Sequence, residues 1–225
     1  MTDVSTIRLT HDGCPLNIAT QVFEEVTRKS NYIQLIDDDL EIWEDFPHDN
    51  IIGVFRGIVL GDQTLPNSII EFELSKGSDL SYSHSETIGK PGWVMFNRQN
   101  THDTPLACGE NKLSTAWNSD KSTLRKTGQT DWIWPFRQVL TYCVATNTRY
   151  GYILTTDELV VLRVYNNKDG HTGRPYTVQY KSVPIDSSGD STLTSSLGLK
   201  ALGMMALNGG QRHIASNSDT LPLNA

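Results

Sequence analysis

Hydrophobic and polar positions alternate in blocks along this chain, and the blocks predict its elements. Ile18, Val22, Phe23 and Val26 fall at helical spacing after Pro15, which predicts an amphipathic helix over 17–28. IIGVFRGIVL (51–60) is β-branched and apolar, the mark of a strand. NSIIEFELS (67–75) alternates Ile70, Phe72 and Leu74 with Glu71, Glu73 and Ser75, predicting a half-buried strand. WVMFN (93–97) and PLACGENKLS (105–114) read as two more strands, separated by a polar turn. DWIWPFRQVLTYCVATNTR (131–149) predicts a helix with Phe136, Val139, Leu140 and Cys143 on one face and Pro135 in its first turn. YGYILTT and LVVLRVY follow as strands joined at Asp157-Glu158, then YTVQYKSVPI (176–185) as another. The segment 187–208 starts with Ser and Asp and becomes a helix with Leu193, Leu197, Leu202, Met205 and Ala206 as core candidates.

Helix, strands, helix, strands, helix is the order of an α/β (or α+β) domain: a mixed central β-sheet flanked by helices. At 225 residues the chain suits one domain, with no repeat or linker to divide it. The expected core spans about 50–208, preceded by the first helix and an acidic segment (1–50) and followed by a polar tail (209–225). No apolar run of membrane-spanning length occurs, and MTDVSTIRLT has no signal-peptide character. Cys14, Cys108 and Cys143 are widely spaced without a CxxC, which argues against a disulfide framework and a structural zinc site. The expectation is therefore an intracellular protein, cytoplasmic or nuclear, with no membrane partner.

The net charge is −7, against a broadly basic nucleic-acid coat. Its distribution changes that picture. Seven acids lie between Asp37 and Asp49 without a Lys or Arg: Asp37, Asp38, Asp39, Glu41, Glu44, Asp45 and Asp49. Leu40, Ile42, Trp43 and Phe46 are the apolar anchors expected within that run, which otherwise offers a docking surface for a basic protein partner. The stretch 110–150, by contrast, carries six basic residues against three acids. Lys121, Arg125 and Lys126 fall there in a polar loop.

Glu110-Asn111-Lys112 closes an apolar strand and is the chain's single acid-x-Lys triplet. Strand alternation puts Glu110 and Lys112 on one face. A carboxylate there can hold a divalent cation, while an ammonium steadies charge developing on a phosphate. A surface ion pair is the plain alternative. Eighteen residues earlier stands Gly-Lys-Pro-Gly-Trp-Val (89–94), and Gln138 and Tyr142 stand one turn apart in the following helix. These segments resemble the core of PD-(D/E)XK nucleases, in which Pro-Asp opens one strand and acid-x-Lys ends the next. QVLTYCVATNTRYGYILTTDELVVLRV (138–164), with the later VPI strand and Thr-Leu-Thr helix, resembles the fungal branch found in spore-killer proteins and beside fungal kinase-like domains.

The resemblance covers about 50–208. It implies a restriction-endonuclease-like fold and hydrolysis of DNA phosphodiesters with Mg²⁺ or Mn²⁺. Glu110 would bind metal, Lys112 would position water or stabilise charge, and Gln138 would orient the site. Lys121, Arg125 and Lys126 would contact DNA phosphates. One departure stands out: Gly92 occupies the place of the metal-binding Asp, and glycine offers no ligand. Three readings stay open. The activity is impaired, leaving a non-catalytic binding module, for example in a fungal selfish-element or toxin–antidote system. Or another acid completes the site, with Asp103 first and Glu86 and Asp79 behind it. Or Pro91 is misaligned.

The remaining signals are weaker. His11-Asp12, His48-Asp49 and His102-Asp103 read as surface loops, the last worth testing because it precedes the Glu110 strand. Cys108 reads as a buried thiol, and Trp132 and Trp134 as packing residues rather than base-stacking platforms. No GxSxG elbow, Walker loop or GxGxxG occurs.

Overall fold

The computed structural model describes residues 7–9, 26–46, 72–76, 91–97, 105–120, 132–167, 174–189, 191–207 and 212–216. Their strands are β1 (Ile7–Leu9), β2 (Leu40–Ile42), β3 (Phe72–Lys76), β4 (Trp93–Asn97), β5 (Pro105–Asn111), β6 (Tyr150–Leu154), β7 (Glu158–Asn166) and β8 (Tyr176–Pro184). They form one eight-stranded mixed sheet in the order β1-β3-β4-β5-β6-β7-β8-β2. Two helices pack on it, α1 (Trp134–Thr146) and α2 (Ser195–Leu207). The expected α/β class with a mixed sheet and flanking helices holds at this level.

Topology follows from connection length. β3, β4 and β5 are antiparallel neighbours. The chain then leaves the sheet through α1 and returns as β6, which is parallel to β5. A parallel neighbour needs such a crossover, whereas β6, β7 and β8 are consecutive antiparallel neighbours that need none.

Each face of the sheet buries its own core. On one side α1 contributes Phe136, Val139, Leu140, Tyr142 and Cys143, packed against Val94, Cys108, Ile153, Val160 and Leu162. On the other, α2 contributes Leu199, Ala201, Leu202, Met205 and Ala206, packed against Trp43, Phe46, Met95, Tyr152 and Val161. β5 lies between both cores, and all seven of its residues are buried. A strand covered on two faces reads as the continuous apolar run seen at PLACG.

The helix ends differ from the pattern-based bounds for local reasons. α1 has a Pro in its first turn and stops where Asn147 takes a left-handed conformation (φ 51°). α2 starts at Ser195 rather than near 187, because Gly189 and Ser191 both have positive φ and the helix is capped by the Thr194 hydroxyl, which accepts from the Leu197 N–H at 3.2 Å. The expected helix over 17–28 falls mainly outside the described residues, and 26–28 are not helical. The expected strand over 51–60 lies outside them entirely.

The acidic run is part of the sheet. β2 pairs parallel with β8, from Leu40↔Val178 to Ile42↔Tyr180. Trp43 and Phe46 anchor it at 0% exposure, as expected. Ile42 does not: it is 47% exposed on the sheet's outermost strand. Several acids are spent internally. Asp39 accepts from the Ile36 N–H and pairs with Arg174 at 2.5 Å, Asp45 pairs with Arg163, and Glu41 accepts from the Tyr165 hydroxyl. This stretch is therefore a folded edge in which Asp39 is buried while Asp37, Asp38, Glu41 and Glu44 stay exposed.

Candidate functional site

The antiparallel register of β4 with β5 pairs Trp93 with Gly109. One step outward, Gly92 stands across from Glu110. Along β5, Cys108 and Glu110 face α1, where they meet Thr146 and Gln138, while the Tyr152 ring covers Gly109 on the opposite side, 2.0 Å from where a Cβ would sit. The alternation expected at the acid-x-Lys triplet is present, and the Lys112 ammonium lies 3.7 Å from Glu110 Oε1.

α1 supplies the roof. Gln138 Nε2 donates to Glu110 Oε2 at 2.9 Å and to the Tyr142 hydroxyl, one turn later, also at 2.9 Å. The Gly92 N–H donates to the same Glu110 Oε2 at 3.3 Å. Gln138 Oε1 is buried without a hydrogen-bond partner. Glu110 and Lys112 are 3% and 0% exposed, so this is no surface ion pair. Each buried ion costs several kcal/mol in lost hydration, and a 3.7 Å contact repays that incompletely. Burial, followed by the Glu110 charge, pushes the Tyr142 hydroxyl above its ordinary range, so it stays neutral and serves as a hydrogen-bonding group.

A segment without regular structure (26–36) lies along α1. The Ile33 N–H donates to the Thr141 hydroxyl at 2.9 Å, and the Arg137 guanidinium donates to the Leu35 carbonyl. Leu35 and Tyr32 are buried, and Tyr32 lies near enough to Tyr142 to act on its hydroxyl. Tyr32 and Thr141 had no signal in the sequence, because the contact joins segments about a hundred residues apart.

Below the site, Cys108 and Cys143 are free and buried; Cys143 donates to the Tyr150 carbonyl at 3.4 Å, and Cys108 lies 3.3 Å from the Thr146 hydroxyl. The absence of a side chain at Gly151 lets α1 approach this closely: a Cβ there would lie 2.6 Å from Val139 and 3.0 Å from the Cys143 sulfur. Cys108 is thus the structural thiol expected. Trp132 is buried and donates to the Ser119 carbonyl at 2.9 Å, and Trp134 lies under Arg137. Trp132 is a packing residue of the α1-side core, and Trp134 is half-buried.

The structure brings together Gly92, Glu110, Lys112 and Gln138. Asp103, the expected second metal ligand, lies outside the described residues, as do Glu86, Asp79, Lys121, Arg125 and Lys126. Among the described residues no group of three or more His, Cys, Asp or Glu is placed to hold a metal ion. The donor set agrees: Mg²⁺ wants a shell of oxygens, and here one carboxylate has both oxygens engaged by N–H and ammonium groups. By themselves the described residues at this site offer a divalent cation one carboxylate, and the acids expected beside it, Asp103, Glu86 and Asp79, lie outside them. Among the described residues no helix is long and apolar enough to cross a membrane. No family model, curated protein or solved structure matches the chain.

Proposed function

We propose that this chain is a PD-(D/E)XK-like nuclease domain of the fungal type, with a restriction-endonuclease-like fold, whose hydrolytic centre lacks one of its two acids. The observation that carries the reading is the position of residue 92. Pro91-Gly92 precedes β4, Glu110-x-Lys112 ends the adjacent β5, and Gly92 lies against the Glu110 carboxylate, with Gln138 reaching it from the next helix. A side chain at 92 would point to where a second acid is needed. This supports the placement of Pro91, which the sequence left open.

The ancestral reaction is Mg²⁺- or Mn²⁺-dependent hydrolysis of DNA phosphodiesters. In it Lys112 steadies charge on the phosphate and Gln138 fixes the Glu110 carboxylate, while Lys121, Arg125 and Lys126 hold the DNA backbone. With glycine at 92 the chain is catalytically impaired and works as a nuclease-fold binding module. Asp39 and Asp45 are paired within the fold, whereas Asp37, Asp38, Glu41 and Glu44 stay exposed and leave an acidic face for a basic partner. Two buried free thiols suit a reducing, intracellular compartment.

Plasmid cleavage in Mg²⁺ or Mn²⁺ tests this with three proteins: the native chain, Gly92→Asp, and Gly92→Asp with Lys112→Ala. Cleavage by Gly92→Asp alone is the expected result. Cleavage by the native chain would mean another acid completes the site, and silence from all three would sink the nuclease reading.

A further inference from the structure

Gly92 has a second consequence, which rests on the site's geometry and deepens the reading above. Its backbone is not left-handed: among the described residues Gly189 is the glycine with positive φ. Nothing in the local conformation therefore requires glycine at 92. What excludes a side chain is Glu110. A Cβ on residue 92 would lie 2.8 Å from Glu110 Oε1 and 3.1 Å from both Cδ and Oε2. The carboxylate fills the volume that a side chain at 92 would take. From there it receives the Gly92 and Gln138 N–H groups and faces Lys112.

We infer that residue 92 positions Glu110: with glycine there, the carboxylate folds back into the gap, and the Lys112 ammonium serves as its internal counter-cation. Loss of the acid therefore does two things. It removes a ligand, and it lets the remaining acid retract into a network closed by the protein's own donors. Any side chain at 92, ligating or not, displaces Glu110.

A thermal-unfolding cycle on the full chain tests this without reference to cleavage. Gly→Ala at a position whose backbone accepts it raises the melting temperature by about 1–4 °C in a chain of this size, by restricting the unfolded state. Gly92→Ala in the native background is expected to lower it instead, since the added methyl group meets the carboxylate. In a Glu110→Ala, Lys112→Met background the same change is expected to raise it. Using the double background avoids leaving Lys112 buried without its acid. A change of the same sign and size in both backgrounds would overturn the inference, as would failure of the double variant's melting temperature to rise. Reversal of sign with no cleavage by Gly92→Asp would leave this inference standing and remove the nuclease reading.

Discussion

Two ion pairs lie on opposite sides of the sheet, and they are handled differently. Arg163 and Asp45, on the α2 side, are 3.2 Å apart with the Asp45 side chain 37% exposed, and Arg163 also lies over the Trp43 ring. Water reaches Asp45, while the buried Arg163 guanidinium is also held by the Gln179 side-chain oxygen, so this pair is only half desolvated. Glu110 and Lys112, on the α1 side, are 3.7 Å apart with side chains 4% and 0% exposed. The first pair trims the margin of an apolar core. The second sits inside a core and is supported by Gln138, Tyr142 and the Gly92 N–H. A fold that needed only stability would fill that position with apolar side chains, as it does beneath α2. The costly pair thus lies on the α1 side, where the proposed centre is.

Breaking the buried pair is the largest test of this contrast. Lys112→Met leaves the Glu110 carboxylate without its cation and is expected to cost about 3–5 kcal/mol in denaturant unfolding. Removing the half-exposed pair with Asp45→Ala is expected to cost less, about 1–2 kcal/mol, because Gln179 still accepts from Arg163. Equal costs would dissolve the distinction between the two sides.

An intermediate effect is expected at Asp39, which is buried, caps the Ile36 N–H and meets a partly exposed Arg174. Asp39→Asn keeps the shape and loses the charge, at about 1–3 kcal/mol by the same measurement. A value nearer that of Lys112→Met would show that the edge strand β2, rather than the α1 side, carries the decisive buried charge.

The smallest effect concerns Tyr142. Burial, then the Glu110 charge, raises its folded-state value above the usual 10. The unfolded chain releases this proton above about pH 10 while the folded chain keeps it, so stability is full below that pH and falls as pH rises past it. Tyr142→Phe removes one titrating group. It is expected to flatten the alkaline loss by up to about 1.4 kcal/mol per pH unit. An unchanged slope would mean that Tyr142 is not held neutral by the site.

The sequence made much of this fold legible where one face or both faces of an element are buried. WVMF and PLACG announce β4 and β5 because both are continuous apolar runs, and the helical spacing of Phe136, Val139, Leu140 and Cys143 announces α1. Strand alternation was enough to bring Glu110 and Lys112 together. β2 was not legible: Leu-Glu-Ile lies inside an acidic run, and its pairing with β8 depends on residues more than 130 positions away. The same holds for Tyr32 and Thr141, whose contacts are long-range. Burial of Lys112 was equally hidden, since Lys is rarely fully buried and nothing local sets it apart. The contact of Gly92 with Glu110 was implied by the resemblance, but that the carboxylate fills the side-chain space at 92 is a fact of register alone.

The proposed nuclease centre requires a second metal-binding acid at residue 92. Titration of Mn²⁺ into the native chain and into Gly92→Asp, followed by calorimetry, tests it most directly. One saturable site is expected in Gly92→Asp, weakened by Glu110→Gln, and no saturable binding by the native chain. Equal binding by the native chain, or none by Gly92→Asp, would contradict it.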